Sequence, residues 1–397
     1  MNYGSVLTGS AALLVLVSGG LGGSFQPRSG LPATHYTTTT ASLRRDHGVS
    51  NRSASISAPQ VLMLDGAGPS IWLMERSGPH VTLWSRQGNR PWHQLSWPSS
   101  LLPDQVVRTS PRNAWIVAQD NQILDTYDGG HTWHTMPLPP LLAQHRKWPQ
   151  GLTIAPAPDG SLALLAWGPE ATTQSSKLLW YRPPHSTRWQ LKARSGPGLF
   201  KYYTPWWPTT IQPTLPVPGD PISLQMVTNS WGYFTEDVAG GPFLWRMTTQ
   251  GRLRPQPIRG LKDWAMGVGA MAWNGSTGWV LSGITPTTSL VARISGTHST
   301  LVSSPHPLSL ANGAAISAAS ATAATIAAQS HKVWTLFNTR NGGQSWASVP
   351  LPDISAHGYA PWVYGHGNTV WLAFGPYLYE GPATRDAGWH RVALPTP

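Results

Sequence analysis

Short apolar runs separated by turn residues recur along most of the chain. In the clearest unit, residues 105–139, four such runs are divided by short polar or Gly-rich segments. Runs of this length, bounded by Gly, Pro, Asn and Asp, are typical of β-strands. The unit therefore predicts four consecutive strands, which we label A, B, C and D.

The A–B pair recurs along the chain, and this repetition is the basis of the fold prediction. The seven pairs begin at Val61, Gln105, Leu152, Ser223, Gly269, Ala314 and Pro361. Strand D begins near residues 92, 133, 189, 253, 300, 346 and 389, so successive units are 41 to 64 residues apart. A propeller blade takes about 40–50 residues, and we assign the excess in units three and four to loops.

Closing such units into a ring removes exposed sheet edges. The chain is therefore predicted to be all-β, a seven-bladed β-propeller of four-stranded antiparallel blades. Six or eight blades remain alternatives, because the Ala-rich sixth unit at residues 311–328 is the least distinctive. The first and last units are both complete in chain order, so no strand exchange between the termini is predicted.

Two turn segments, residues 126–133 (TYDGGHTW) and 339–346 (TRNGGQSW), follow the pattern [S/T]-x-[D/N]-x-G-x-[S/T]-W. Asp and Asn accept hydrogen bonds from nearby backbone N–H groups in tight turns, and Gly supplies a positive φ. The hydroxyl then closes the turn, and the Trp packs across the neighbouring strand. The positions with these structural roles are Thr126, Asp128, Gly130, Thr132 and Trp133, with Thr339, Asn341, Gly343, Ser345 and Trp346.

These segments resemble the Asp-box of BNR-type and sialidase-type propellers. The larger unit resembles the Ycf48/HCF136-like photosystem II assembly propellers, which share Ala-Trp or Gly-Trp in strand B followed by a D-G-G-x-T-W turn, as at Ala114-Trp115 and residues 128–133. The resemblance covers about residues 59–396, with full boxes in units two and six and a shortened one at residues 385–389. It implies a scaffold that holds another protein, without implying a role in photosynthesis.

The N-terminal residues indicate where in or outside the cell the protein is located. Residues 6–17 are apolar and precede a Gly-rich segment, but a membrane span needs about 20 apolar residues. We predict a signal peptide at residues 1–23, with an uncleaved N-terminal membrane anchor or a buried helix as alternatives. Residues 24–58 are rich in Ser and Thr and predict a disordered tether, so the propeller is expected to span residues 59–397. The protein is then extracellular or on the cell surface.

The amino-acid composition limits the kinds of site and partner that the protein can have. The chain has no Cys, which excludes disulfides and thiolate metal sites, and no His motif or phosphate-binding loop indicates a metal or a cofactor. The 27 Lys and Arg exceed the 16 Asp and Glu, giving a net charge of +11, which favours anionic partners. The basic residues are scattered, so a nucleic-acid partner is not favoured. The oligomeric state is not predicted.

Two long D-to-A connections, residues 140–151 and 194–221, are the candidate binding elements, because long loops are often functional. Both belong to the same face of the propeller. Their basic and aromatic residues are Arg146, Lys147, Trp148, Lys201, Tyr202, Tyr203, Trp206 and Trp207. Such a surface suits an anionic glycan, an acidic peptide or a protein partner. The alternative is that the aromatic residues only pack the loops onto the blades.

A glycoside hydrolase is the alternative function, since the resemblance includes sialidases. Sialidase chemistry implies an arginine cluster, a Tyr–Glu nucleophile pair and an acidic proton donor. The weak catalytic candidates are Glu236, Asp237 and Glu170, on predicted B-to-C connections of the same face. Adjacent strand residues point to opposite sides, so Glu236 and Asp237 do not form a pair. We therefore predict a non-catalytic binding or assembly scaffold.

Overall fold

A computed structural model describes most of the predicted propeller and two short strands before it. The described residues are 28–31, 36–40, 59–98, 100–146, 149–171, 174–195, 214–215, 220–237, 244–260, 268–274, 276–285, 288–305, 308, 314–330, 333–351, 361–382 and 388–395. The predicted signal or anchor at residues 1–23 lies outside them. Among the helices in these ranges, none has both the length and the apolar character needed to cross a membrane.

The chain forms seven four-stranded antiparallel blades, each built from consecutive strands. Blade 1 comprises β3 (Gln60–Ala67), β4 (Ser70–Ser77), β5 (His80–Gln87) and β6 (His93–Leu95). Blade 2 comprises β7 (Pro103–Arg108), β8 (Ala114–Ala118), β9 (Gln122–Thr126) and β10 (His134–Met136). Blade 3 comprises β11 (Gly151–Pro156), β12 (Leu162–Ala171), β13 (Gln174–Arg182) and β14 (Gln190–Ser195).

The remaining four blades follow the same order. Blade 4 comprises β16 (Asp220–Met226), β17 (Trp231–Asp237), β18 (Leu244–Thr248) and β19 (Leu253–Pro255), and blade 5 comprises β20 (Val268–Asn274), β21 (Thr277–Thr285), β22 (Thr288–Ser295) and β23 (His298–Val302). Blade 6 comprises β24 (Ala315–Ala318), β25 (Ala324–Ser330), β26 (Val333–Thr339) and β27 (Ala347–Pro350), and blade 7 comprises β28 (Trp362–His366), β29 (Thr369–Phe374), β30 (Tyr377–Pro382) and β31 (His390–Val392). The predicted seven-bladed β-propeller is confirmed, and the six- and eight-bladed alternatives are excluded.

A few short elements lie outside the blades. They are β1 (Arg28–Leu31), β2 (Tyr36–Thr40), β15 (Thr214–Leu215), a 3₁₀ turn (Gln119–Asn121) and the helix α1 (Pro140–Gln144). Strand β2 pairs with β1 and with the innermost strands of blades 1, 2 and 5. The predicted boundaries at residues 23 and 58 stay predictions.

The second strand of each blade is buried between two neighbouring blades. All five residues of β8 are buried, and six of the seven residues of β25 are buried. A strand covered on both faces is a continuous apolar run rather than an alternating one, which explains the sequence pattern of strand B. The fourth strand lies at the outer edge, so in β6 and β10 only the last residue is buried.

The hydrophobic core is divided among the interfaces between blades. One cluster joins blades 2 and 3 through residues such as Val117, Ile154 and Leu164. Similar clusters join blades 3 and 4, 4 and 5, 5 and 6, and 6 and 7, and a larger cluster contains residues of blades 7, 1 and 2. Each blade therefore depends on its neighbours for its buried surface.

The ring closes where blade 7 packs against blade 1, without exchange of a strand. The Val61 amide donates a hydrogen bond to the Gly375 carbonyl at 2.6 Å, and the Tyr364 hydroxyl donates to the Gly68 carbonyl at 2.7 Å. Any Cβ at residue 66 would overlap the Tyr364 ring, so this approach requires glycine. The Arg86 guanidinium lies 3.5 Å from the Glu380 carboxylate.

Polar side chains bond the innermost strands of neighbouring blades to one another. The buried Gln105 amide donates to the Ile154 carbonyl at 3.0 Å and accepts from the Ile154 N–H at 2.9 Å, so it pairs with β11 as another strand would. The Ser317 hydroxyl accepts a hydrogen bond from the Gly365 amide at 2.8 Å. These bonds satisfy backbone groups that an innermost strand would otherwise leave unpaired.

The turn at residues 126–133 is held by side chains. The Asp128 carboxylate accepts hydrogen bonds from the His131 and Thr132 amides, both at 3.0 Å, and from the Thr132 hydroxyl at 2.6 Å. The Thr126 hydroxyl accepts from the Gly130 amide at 3.0 Å and donates to Asp128 at 2.8 Å. These bonds hold the pKa of Asp128 well below its ordinary range.

The turn at residues 339–346 repeats this geometry with an amide in place of the carboxylate. Asn341 accepts from the Ser345 amide at 3.0 Å and donates to the Ser345 hydroxyl at 2.8 Å. The Thr339 hydroxyl accepts from the Gly343 amide at 3.0 Å. Both turns are therefore closed by one carboxylate or amide side chain and two hydroxyl groups.

Each of these turns ends in a tryptophan that bonds the preceding blade. The Trp133 indole donates to the Ser96 carbonyl at 2.8 Å, and the Trp346 indole donates to the Ser303 carbonyl at 2.7 Å. Trp189, at the same position in blade 3, donates to the Pro137 carbonyl at 2.9 Å. The contact thus recurs in a blade whose turn lacks the eight-residue pattern.

We expect Gly130→Ala to destabilise the protein more than Gly160→Ala. Both glycines have positive φ, 92° and 82°, and an L-residue in this region costs about 1–2 kcal/mol. A Cβ at Gly130 would also lie 2.9 Å from Leu95, whereas nothing lies within 4 Å at Gly160. Overpacking adds roughly 1–3 kcal/mol. Equal losses of free energy of unfolding in denaturant titrations would contradict this packing.

We expect Asp128→Asn to change how the stability of the protein depends on pH in acid. A carboxyl with a lowered pKa in the folded state stabilises the protein above its unfolded pKa of about 3.9, and this contribution is lost as pH falls. The difference in melting temperature between the parent and Asp128→Asn should therefore be constant above about pH 4 and shrink below it. The reciprocal variant, Asn341→Asp, should gain the same dependence, and a difference that persists unchanged in acid would refute the proposed bonding.

Candidate functional site

Antiparallel strand order gives the propeller two unlike ends. The A-to-B and C-to-D connections of every blade lie at one end, and the B-to-C and D-to-A connections lie at the other. We call the first end the turn face and the second end the loop face. The turns at residues 126–133 and 339–346 belong to the turn face, and the predicted binding and catalytic candidates belong to the loop face.

The connection from β10 to β11 is anchored to the blades at α1 and again after it. Leu142 of α1 is fully buried in the cluster between blades 2 and 3. After the helix, the Gln150 amide donates to the Trp167 carbonyl at 2.9 Å, and the Asn121 amide donates to the Pro149 carbonyl at 3.3 Å. The sequence predicted a long loop here, and the structure shows a one-turn helix inside it.

Arg146 is exposed on this anchored connection, at the loop face. His145 precedes it, and its amide donates to the Leu141 carbonyl at 3.0 Å as the last bond of the helix. The neighbouring candidates Lys147 and Trp148 lie outside the described residues. The structure therefore fixes the position of one candidate cation of this loop relative to blades 2 and 3.

Between the end of β14 and the start of β16, the second candidate loop is described only at β15. This strand pairs in parallel with β14, with Thr214 opposite Arg194, and adds a fifth strand to the blade 3 sheet. The other candidate residues lie outside the described part of the chain; they are Lys201, Tyr202, Tyr203, Trp206 and Trp207. Their contribution to a binding surface stays a prediction.

The catalytic candidates lie at the loop-face ends of two adjacent blades. Glu170 is near the end of β12, opposite Ser175 of β13. In β17, Glu236 and Asp237 pair with Pro221 and Asp220 of β16. The backbone thus brings the three candidates to the loop face.

Two buried carboxyl groups were not identified from the sequence. Asp65, on the innermost strand of blade 1, is 1% exposed. Burial raises its pKa well above the ordinary range, and the positive charge of Arg108 opposes this rise. Glu75, near the loop-face end of β4, is also buried, and burial raises its pKa. An acidic residue inside an apolar strand was the only sequence signal for either group.

Arg108 links blades 1 and 2 from a fully buried position. Its guanidinium donates to the Ser70 carbonyl at 3.0 Å and to the Ser70 hydroxyl at 2.8 Å. The same group lies 4.2 Å from the centre of the Trp72 ring. A further bond runs to the Pro111 carbonyl of blade 2 at 3.3 Å. We assign Arg108 a structural role, since its donors join the turns of blades 1 and 2. Across the described ranges, no group of three or more His, Asp and Glu side chains could hold a metal ion.

No family model and no curated protein matches this chain. Its fold is similar to that of solved propeller structures. A Ycf48 structure with a bound D1 peptide has a TM-score of 0.47 and 14% identity, over 87% of this chain and 100% of that one. A fucose-specific lectin from Aleuria aurantia has a TM-score of 0.37 and 11% identity, over 82% and 90%.

A prolyl endopeptidase structure has a TM-score of 0.52 and 9% identity, over 84% of this chain and 50% of that one. This chain therefore spans half the length of that enzyme. At such identities the similarity shows the β-propeller fold alone.

Proposed function

We propose that this protein is an exported, non-catalytic scaffold whose loop face binds a protein or an anionic glycan. The observation that carries the proposal is the anchored connection between β10 and β11, which holds an exposed arginine at that face. The burial of Leu142 and the hydrogen bonds made by the Pro149 carbonyl and the Gln150 amide hold the described part of this connection on the blades before any partner arrives. A loop that is already ordered loses less conformational entropy on binding.

The location of the anchored loop supports the same proposal. It lies over the interface of blades 2 and 3, and the second candidate loop begins at the end of β14 in blade 3. The two loops therefore flank one blade. Arginine and aromatic residues are enriched among the residues that dominate protein interfaces, and both loops contain them.

We also propose that the blades descend from Asp-box repeats of the BNR type. The paired bonding at residues 126–133 and 339–346 supports this assignment, because carboxylate and amide oxygens serve the same purpose in the two turns. The recurrence of the indole bond at Trp189 supports an origin of blade 3 from the same unit. On this view the other blades lost the box and kept the strand order.

Binding through the loop face can be tested by comparing variants of the two candidate loops with a control variant elsewhere on the surface. Arg146→Ala should weaken binding of an acidic glycan on a glycan array by roughly fivefold or more, since an interface residue that matters costs over about 1 kcal/mol when truncated. Trp206→Ala/Trp207→Ala should weaken it as well. Arg254→Ala is the matched control, because Arg254 is exposed on the outer strand β19 of blade 4 and belongs to neither loop.

Three outcomes distinguish the alternatives. Equal loss in Arg146→Ala and Arg254→Ala would show that net charge, rather than the loop face, determines binding. Turnover of a fluorogenic glycoside that is lost in Glu236→Gln would make the protein a glycoside hydrolase and contradict the proposal. If no glycan on the array binds, the glycan is excluded and the proposal is restricted to a protein partner. Affinity capture with the parent and Arg146→Ala would then test that partner.

A further inference from the structure

The turn face is basic, although the loop face was the surface predicted from the sequence to be so. The described A-to-B and C-to-D turns contain more arginines than carboxylates. The arginines are all exposed and are Arg90, Arg112, Arg188, Arg252 and Arg340. The carboxylates in the same turns are Asp128 and Asp159.

Both carboxylates are occupied by their own turns. Asp128 accepts three hydrogen bonds within residues 131–132. Asp159 accepts from the Ser161 amide at 2.9 Å and from the Ser161 hydroxyl at 2.7 Å. Within the described ranges, neither forms an ion pair with an arginine of the face. The positive charge of the five arginines is therefore not neutralised locally.

Further guanidinium groups lie just beneath this face, at the turn-face ends of third strands. Arg86 stacks 4.7 Å from the centre of the Trp371 ring, and Arg182 lies 5.7 Å from the centre of the Trp189 ring. Arg86 has a carboxylate partner in Glu380. By comparison, the charged residues of the described loop-face connections are Asp120, Arg146 and Arg259, apart from histidine. Within the described connections, the excess of positive charge is therefore larger at the turn face.

One large aromatic side chain is exposed at the same face. Tyr127 is 52% exposed. Its ring packs edge-on against Trp115 with centroids 6.3 Å apart, and its hydroxyl donates to the Asp125 carboxylate at 3.0 Å. The Gly129 amide donates to the Arg112 carbonyl at 2.8 Å, which joins the two turns of blade 2. Tyr127 and Arg112 are thus held in a fixed relation.

The placement of the arginines decides what kind of anion fits. They belong to blades 1, 2, 3, 4 and 6, so they surround the ring rather than converge on one small anion. Because the connections that contain them all lie at the same end of the blades, the positive charge is spread over that end. A planar anionic surface complements such a layer, and an amphipathic aromatic residue suits the headgroup region of a bilayer.

We propose that the turn face docks onto an anionic lipid membrane and leaves the loop face directed away from it. Lys and Arg near an anionic bilayer each contribute about 1 kcal/mol, which is roughly fivefold in affinity. Since docking and partner binding use opposite faces, this proposal stands whether or not the loop face has the function proposed above.

The test measures co-sedimentation of the full-length protein with vesicles of equimolar phosphatidylcholine and phosphatidylglycerol. Arg112→Gln/Arg188→Gln should bind about 25-fold more weakly, which is two fivefold steps. The control, Arg76→Gln/Arg259→Gln, removes the same charge from exposed positions outside the turn-face turns and should bind like the parent: Arg76 is near the loop-face end of β4, and Arg259 pairs with Thr300 at the outer edge of blade 5. Pure phosphatidylcholine vesicles report the contribution of the apolar N-terminus, which is identical in all variants.

Two further measurements of vesicle binding and a folding control complete the test. Tyr127→Ser should weaken vesicle binding severalfold while Tyr127→Phe, which keeps the ring, should not. Raising the salt from about 0.1 M to about 1 M, where the Debye length falls from about 10 Å to about 3 Å, should release the protein. Thermal melting of each variant checks that it remains folded.

Three results would overturn the proposal. One is the absence of any preference for anionic vesicles at about 0.1 M salt. Another is equal loss of binding in the two double-arginine variants, which would show a response to net charge alone. The third is tight binding to heparin, a soluble polyanion, together with no binding to vesicles, which would identify an extended polyanion as the ligand.

Discussion

No blade of this propeller has a hydrophobic core of its own, and the remaining structure depends on that constraint. The second strands are covered on both faces only because a blade lies on each side, as for β8 between blades 1 and 3. An open row of blades would leave two such faces exposed to water at its ends. Closure between blades 7 and 1 is therefore required by the burial of surface, and Tyr364 and Arg86 are the contacts that orient it.

The same constraint explains why turn geometry and blade packing are coupled. Gly130 brings its backbone against Leu95 and Trp72 of the preceding blade, and Trp133 then reaches the Ser96 carbonyl. The Asp128 bonds hold the turn in the shape that allows both contacts. A local network of hydrogen bonds thus determines the spacing of two sheets, which is why we expect single turn variants to change the stability of the whole ring.

The sequence was sufficient for the fold because the fold is repetitive. Seven A–B pairs, with turns between them, predicted the blade number and strand order that the structure shows. Features that occur once were not predictable. The bridge from Arg108 to Ser70 joins residues 38 apart in sequence, and β15 pairs across a long loop without apolar periodicity. For the candidate site, the sequence predicted which connections are long, but the anchoring of α1 by Leu142 depends on packing that no repeat encodes.

The repeat also explains how one turn can serve both architecture and surface chemistry. In the pattern [S/T]-x-[D/N]-x-G-x-[S/T]-W, the named positions are committed to bonds within the turn or to the preceding blade. The residues at the first x position, Tyr127 and Arg340, are both exposed, and the turn pattern does not require their side chains for these bonds. Residues at such positions can change without loss of the turn, so each blade can add a charge or an aromatic ring to the turn face independently. Of the five turn-face arginines, Arg340 occupies this position, and the other four lie elsewhere in turns that the strand order brings to the same end.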